Sequence, residues 1–288
     1  MQLLWDFIPG RTTQLTDFES EDRIAQFADL LKILHQSSGE FPMASSPFRR
    51  FHDFLAKGEK NEVPFPSSVL EVRTLMVQIE KILQLYPVPL GPSHLDLSPF
   101  NIILTNKSFL LVDWVNGGLS DPYFDLATFS VFHCLVESQM KTFLEHYFGH
   151  EPSSLEWKRF IIVLPVRLFV IAVSCLLFPT ENATAEYYDR ILADPDMLSF
   201  SDFIQNHSQE GTKWPHWQIG LRMLKAGLDL VRSPEFQTAI DFLQQNAHTR
   251  LVQNLEPSVC LKQSGDFKGV HYSDPIKKQI FFRSWSDI

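Results

Sequence analysis

The chain has 288 residues, of which 44% are hydrophobic, 13% aromatic and 20% charged, a composition typical of a globular protein with a sizeable core. Its formal net charge of -9 argues against binding to a nucleic-acid backbone. Three widely separated cysteines, Cys134, Cys175 and Cys260, lack metal-ligand spacing, which indicates reduced thiols. No basic leader follows Met1, so the protein is expected to be cytoplasmic.

The N-terminal third predicts a strand followed by helices. Residues 3–7 form a short apolar strand that ends in a proline–glycine turn. Apolar residues at helical spacing then predict a helix over 17–35. A short helix opens near Pro47, and a longer one begins at Ser68.

Two apolar runs, 102–104 and 109–112, are separated by a polar turn and predict a β-hairpin. Asn101 opens the first strand and Asp113 closes the second, so antiparallel pairing would bring them level, about 5 Å apart. Asp96 lies in the loop that leads into the hairpin and would reach the same place. Two oxygen ligands for a hard divalent cation, with a second carboxylate free to accept a proton, are typical of a phosphoryl-transfer site.

The C-terminal half is predicted to be helical. The helices are expected over 123–149, 155–178, 183–193, 217–231 and 234–247. Residues 160–178 approach the length of a membrane span, but they contain Pro165 and Arg167, which are costly inside a bilayer. The favoured interpretation is therefore a buried core helix, and no membrane span is predicted.

The order of these motifs resembles that of one known superfamily. His94-x-Asp96-x-x-x-x-Asn101, an apolar hairpin and Asp113-Trp114 are followed by Asp-Pro-x-x-Asp-Leu-Ala at 121–127. This pattern resembles the catalytic and metal-binding segments of the aminoglycoside phosphotransferase and choline kinase superfamily, relatives of the protein kinases. The order Leu-His at 34–35 and Pro-Phe-x-Arg at 47–50 is similar to bacterial choline kinase-like proteins in particular.

The resemblance implies a role for each matched residue. Asp96 would accept the proton of a substrate hydroxyl, and Asn101 and Asp113 would bind Mg²⁺ at the phosphates of ATP. Ile103 and Val112 would lie under the adenine ring.

Three further residues would support the site structurally. His94 would brace the catalytic loop, and Asp125 would receive hydrogen bonds from it. Asp121, followed by a proline, is also typical of a helix N-cap. For each acidic residue, the alternative interpretation is a simple turn or cap position.

The implied fold is α+β and mainly helical, namely the large, C-terminal lobe of a protein kinase with its catalytic-loop β-hairpin. Residues 1–10 would be the hinge strand, 11–250 the helical lobe with its catalytic core at 94–127, and 251–288 a C-terminal extension. The small nucleotide-binding lobe is expected to be absent, because the sequence has no Gly-x-Gly-x-x-Gly and no suitably placed lysine. The apolar hinge would then be exposed and could bind a partner chain through Leu3, Trp5 and Phe7.

The expected function is transfer of the ATP γ-phosphoryl group to a hydroxyl acceptor such as an amino alcohol. Trp114 would contact this substrate, because aromatic rings bind ammonium groups by cation–π attraction, and the alternative is that its ring packs in the core. Val115 and Asn116 stand where choline kinase-like proteins usually carry an acidic and an aromatic residue, so an aminoglycoside, thiamine or a sugar stays open. The alternatives are a catalytically inactive kinase-like remnant or binding module, and a membrane-associated protein anchored by residues 160–178.

Overall fold

The computed structural model describes residues 9–44, 46–207 and 215–253. The predicted hinge strand at 3–7, with the proposed partner-binding residues Leu3, Trp5 and Phe7, lies outside the described residues, as do residues 254–288 of the predicted extension. Within the described part the fold is α+β and mainly helical, as predicted.

Ten helices and five short strands make up the described part of the chain. The helices are α1 (Glu21–Gln36), α2 (Pro47–Lys60), α3 (Ser68–Gln84), α4 (Tyr123–Phe132), α5 (Glu137–Phe148), α6 (Ser154–Leu176), α7 (Ala185–Leu192), α8 (Phe200–His207), α9 (His216–Val231) and α10 (Pro234–Gln253). The strands are β1 (Arg11–Thr12), β2 (Gly91–Ser93), β3 (Ile102–Leu104), β4 (Phe109–Leu111) and β5 (Gly118–Ser120).

The strands form two small antiparallel sheets that carry the loops of the site. The first has the order β1-β3-β4, and β3 and β4 form the predicted hairpin, with Ile102 opposite Leu111. The second pairs β2 with β5. The segment 94–101 connects the two sheets, so both of its ends are fixed by strand pairing.

Helix α6 is the centre of the helical part and packs against α2, α4, α9 and α10. It is long and apolar enough to cross a membrane by length and composition, but 83% of its most apolar window is buried within the fold. This burial agrees with its interpretation as a core helix. Gly227 lets α9 approach α6 closely, because a Cβ there would lie 2.4 Å from a ring carbon of Phe169.

Two predicted helices have different bounds in the structure. The helix expected from residue 17 begins at Glu21, because Asp17 instead closes a 3-10 turn by accepting from Gln14 N at 2.8 Å and from Arg11. The helix expected over 123–149 is broken between α4 and α5. Cys134 there has a φ of 51°, and the turn it makes lets Leu135 become buried.

Candidate active site

The loop from His94 to Asn101 is held in a strained backbone conformation by side chains from helices α4 and α6. Leu95 has a φ of 62°, a left-handed backbone conformation that costs a branched residue about 1–3 kcal/mol. Its N–H donates to Asp125 Oδ1 at 2.6 Å, and its carbonyl accepts from Arg167 Nη2 at 2.8 Å. These two side chains, from α4 and α6, fix the backbone next to Asp96.

Asp125 is fully buried and accepts three hydrogen bonds. His94 N donates to Oδ2 at 2.7 Å and Leu95 N to Oδ1 at 2.6 Å, while His35 Nε2 lies 3.1 Å from Oδ2. Burial alone would raise the pKa of this carboxyl, but the hydrogen bond and charge of His35, with the help of His94, hold it below its usual value. On its other side, His35 Nδ1 lies 2.8 Å from the Tyr147 hydroxyl, so a buried chain of hydrogen bonds runs from α5 to the loop.

His94 connects the loop to the hairpin. Its ring is buried, with Nε2 2.8 Å from the carbonyl of Val112 and Nδ1 accepting from Asp96 N at 3.2 Å. A carbonyl can only accept, so Nε2 carries the proton and Nδ1 is the acceptor. The ring thereby fixes the distance between Asp96 and the strand that leads to Asp113.

Asp96 is half-buried and lies near Asp113, Arg167, Arg50 and the ring of His94. Burial raises the pKa of its carboxyl and the negative charge of Asp113 adds to the rise, while His94, Arg167 and Arg50 oppose it. A carboxyl with a raised pKa is better suited to accept a proton than a fully exposed one.

Asn101 and Asp113 lie at the open end of the hairpin. Val112 N donates to Asn101 O at 3.0 Å, so Asp113 lies one residue beyond the level of Asn101 and not opposite it as predicted. Asn101 Nδ2 donates to the carbonyl of Asp96 at 2.9 Å, which leaves its Oδ1 free to act as a ligand. Asp113 Oδ1 is buried without a hydrogen-bond partner.

These two oxygens fit a hard cation such as Mg²⁺, because a buried carboxylate oxygen needs a positive partner. Among the described residues, no group of three or more histidine, cysteine, aspartate or glutamate side chains could hold a metal ion. A cation at Asn101 and Asp113 would therefore take its other ligands from phosphate oxygens and water, as Mg²⁺ commonly does.

The outer face of the hairpin is a small apolar surface. Ile103 is half-buried and pairs with Leu110, and Val112 is 38% exposed. Residues two apart along a strand share a face, so Ile103, Leu110 and Val112 lie together. The sequence analysis assigned Ile103 and Val112 to nucleotide binding and missed Leu110, which alternation along the second strand would have indicated.

The two remaining predicted residues have clear structural partners. Trp114 donates from Nε1 to the carbonyl of Leu111 at 3.1 Å, and its ring centroid lies 4.7 Å from that of His94. Asp121 accepts from Tyr123 N at 3.0 Å, as an N-cap does, and pairs with the buried Arg159.

Three residues that the sequence analysis left unassigned meet at Asp96. Asn116 Nδ2 donates to Asp96 Oδ2 at 3.4 Å, and Asn116 Oδ1 accepts from Arg50 Nη2. Arg167 is 3% exposed, and burial lowers its pKa to about 10, so it stays charged at neutral pH. Its position as the one cation in the apolar run 160–178 was a signal, since a buried arginine needs partners.

A half-buried carboxylate on a braced loop, next to the hairpin end formed by Asn101 and Asp113, is the arrangement that the sequence predicted for the large lobe of a kinase-like fold. The chain belongs to the phosphotransferase enzyme family, whose model matches residues 3–157, more than half of its length.

Comparisons with individual proteins agree with this assignment. The chain is 31% identical over 121 residues to Protein LicA of Haemophilus influenzae, covering 41% of this chain and 45% of LicA. It thus spans less than half the length of this curated relative.

Two solved structures have a similar fold. One is a choline/ethanolamine kinase family protein from Mesorhizobium loti, with a TM-score of 0.63 at 19% identity over 82% of this chain and 70% of that one. The other is the choline kinase LicA from Streptococcus pneumoniae, with a TM-score of 0.56 at 16% identity over 78% and 69%. At these identities the likeness shows the fold, which is the predicted kinase-like one.

Proposed function

We propose that this protein transfers the γ-phosphoryl group of ATP to the hydroxyl of a small-molecule acceptor, with Asp96 as the general base. The observation that carries the proposal is the environment of Asp96. Burial raises the pKa of its carboxyl, and the loop beside it is fixed by Asp125, Arg167 and His94. Phosphoryl transfer depends mainly on positioning and charge neutralisation, and both require a rigid loop.

In the proposed reaction, the acceptor oxygen forms a bond to the γ-phosphorus, and the bond from that phosphorus to the β–γ bridging oxygen breaks. ADP leaves with the electron pair, and Asp96 takes the hydroxyl proton. Asn101 Oδ1 and the unpaired Asp113 Oδ1 would hold Mg²⁺. When bound, Mg²⁺ neutralises the charge of the phosphate oxygens. Ile103, Leu110 and Val112 would contact the adenine ring.

The acceptor is proposed to be a small alcohol. Choline and ethanolamine appear in the names of proteins with this fold, so amino alcohols are the first compounds to test. Trp114 is proposed to line the acceptor side.

The test is acceptor-dependent release of ADP by the full chain, compared with Asp96→Ala. We expect the variant to lose at least about 100-fold in kcat, the lower end of what a positioned base contributes, while its circular dichroism stays that of the wild type. Turnover that survives in a folded Asp96→Ala protein would contradict the proposal.

A further inference from the structure

The side of Asp96 that faces helix α2 is built from cationic and amide groups. Arg50, from α2, is half-buried and donates to Asn116 Oδ1, and Asn116 in turn donates to Asp96 Oδ2 at 3.4 Å. One amide therefore connects the Arg50 guanidinium to the carboxylate of the proposed base. Asn116 lies three residues after Asp113, just past the cation-binding pair.

A second guanidinium lies on the same side. The charged groups that face Arg167 are Arg50, Asp96 and Asp125, and the charge that faces Arg50 is Asp96. Arg50 and Arg167 thus lie close enough to repel each other, and both are attracted to the carboxylate of Asp96. Asp125 is already committed to three hydrogen bonds with His35 and the loop backbone.

One donor in this cluster has no partner. Arg167 donates from Nε to Thr128 Oγ1 at 2.6 Å and from Nη2 to the carbonyl of Leu95 at 2.8 Å. Its buried Nη1 makes no hydrogen bond. An unpaired buried cationic donor beside a second cation favours an anion in the adjacent space. A quaternary ammonium group would bring a third positive charge to the same place.

We infer that the acceptor site selects by charge, and that its substrate is an alcohol carrying a carboxylate, with Arg50 recognising that carboxylate. The inference rests on the proposed function, since it names the acceptor of the same reaction. An arginine fork matches a carboxylate with two parallel hydrogen bonds, which orients the hydroxyl at the other end of a small acceptor. The carboxylate is bound and is not changed in the reaction.

The experiment compares three alcohols that share a hydroxyethyl group and differ in terminal charge. They are choline, its neutral analogue 3,3-dimethylbutan-1-ol, and 3-hydroxypropanoate. Acceptor-dependent ADP release by the full chain gives kcat/KM for each. Binding of each alcohol to protein loaded with Mg²⁺ and a non-hydrolysable ATP analogue is measured in parallel by calorimetry.

Arg50→Gln removes the charge and keeps a side chain that can donate to Asn116. The matched control is Arg49→Gln, which removes the same charge from the neighbouring residue, whose side chain is 78% exposed and pairs with Asp53. We expect Arg50→Gln to lower kcat/KM for 3-hydroxypropanoate roughly tenfold relative to kcat/KM for the neutral alcohol in the same variant, equivalent to about 1.4 kcal/mol. Arg49→Gln should leave kcat/KM for each of the three alcohols as in the wild type.

The outcomes separate the inference from the proposed function. Preference of the wild type for choline over 3-hydroxypropanoate would overturn the inference, while Asp96-dependent turnover would still support the proposed function. An equal loss for all three alcohols in Arg50→Gln would also overturn it, because Arg50 would then act on the phosphoryl group. If none of the three alcohols is phosphorylated, the proposed function fails. The inference is then tested by binding alone, and it requires that 3-hydroxypropanoate binds more tightly than choline and loses that advantage in Arg50→Gln.

Discussion

Replacing Asp125 by asparagine tests whether this carboxylate holds the catalytic loop. Asparagine has the same shape, but it replaces one acceptor oxygen by an NH₂ group and removes the charge. With NH₂ at the Oδ1 position, the N–H of Leu95, now bonded at 2.6 Å, faces a donor and loses its partner. The bonds from His94 and His35 remain, but their acceptor becomes a neutral amide oxygen.

The cost follows from these contacts. Losing one hydrogen bond to a charged group costs about 1.5–3 kcal/mol, and a buried donor left unsatisfied costs about 1–3 kcal/mol. The two contributions overlap, so we expect the free energy of unfolding to fall by about 3 kcal/mol. For a domain of this size, that lowers Tm by roughly 6–12 °C.

The assay is thermal unfolding followed by circular dichroism at pH 7.5. Asp53→Asn is the control, because this side chain is 63% exposed and its Arg49 contact is long, at 3.7 Å. It should change Tm by less than about 2 °C, since surface substitutions are usually nearly neutral. A Tm for Asp125→Asn within about 2 °C of the wild type would refute the role assigned to Asp125.

The pH dependence gives a second check. The pKa of Asp125 is lower in the folded protein than in the unfolded chain, so its stabilising effect is present above the unfolded pKa and is lost as pH falls through the folded one. The stability difference between wild type and Asp125→Asn should be constant above about pH 5 and should shrink below about pH 4.

Three further substitutions or modifications test the packing around the site. Arg159→Met should lower the free energy of unfolding by about 3 kcal/mol in urea titrations, because it leaves the carboxylate of Asp121 without its buried cation. Gly227→Ala should lower it by about 1–3 kcal/mol, because the new Cβ would overlap the ring of Phe169 at the α6–α9 contact. Cys175, whose pKa burial raises to about 12, should resist iodoacetamide at pH 8 in the folded protein and react after unfolding, as measured by peptide mass spectrometry.

Each of these three predictions has a control or an outcome that would contradict it. Arg232→Met removes an exposed pair with Glu71 and should cost less than about 1 kcal/mol, so an equal effect of both arginine variants would contradict a special role for the buried pair. An unchanged midpoint for the Gly227 variant would show that α9 can shift away from α6. Fast labelling of Cys175 in the folded protein would contradict the raised pKa of this half-buried thiol.

Local patterns of apolar residues account for most of the fold that could be predicted from the sequence. The hairpin followed from two apolar runs around a polar turn, and its strands lie where the pattern placed them. Helix α6 was predicted from its apolar composition. The break at Cys134 was missed because apolar spacing continues through it, and the helix Phe200–His207 was not predicted.

The site was predictable only in part, for a physical reason. Residues from His94 to Asp125 are close in sequence, and motif spacing places them together. The contacts of His35 with Asp125 and of Arg50 with Asn116 join residues 90 and 66 positions apart, which no local pattern encodes. The predicted helix over 17–35 placed His35 at its end, and the structure shows this residue bonded to the buried carboxylate of Asp125.

The most direct test of the central claim is calorimetric titration of the purified full chain with ATP and MgCl₂, repeated on Asp113→Ala. We predict that the wild type binds Mg-ATP and that the variant binds it at least about tenfold more weakly, because Asp113→Ala removes a carboxylate ligand proposed for Mg²⁺. Asp53→Ala serves as the exposed control and should bind as the wild type does. A well-folded wild type that shows no binding of Mg-ATP would contradict the account and favour a non-catalytic binding module.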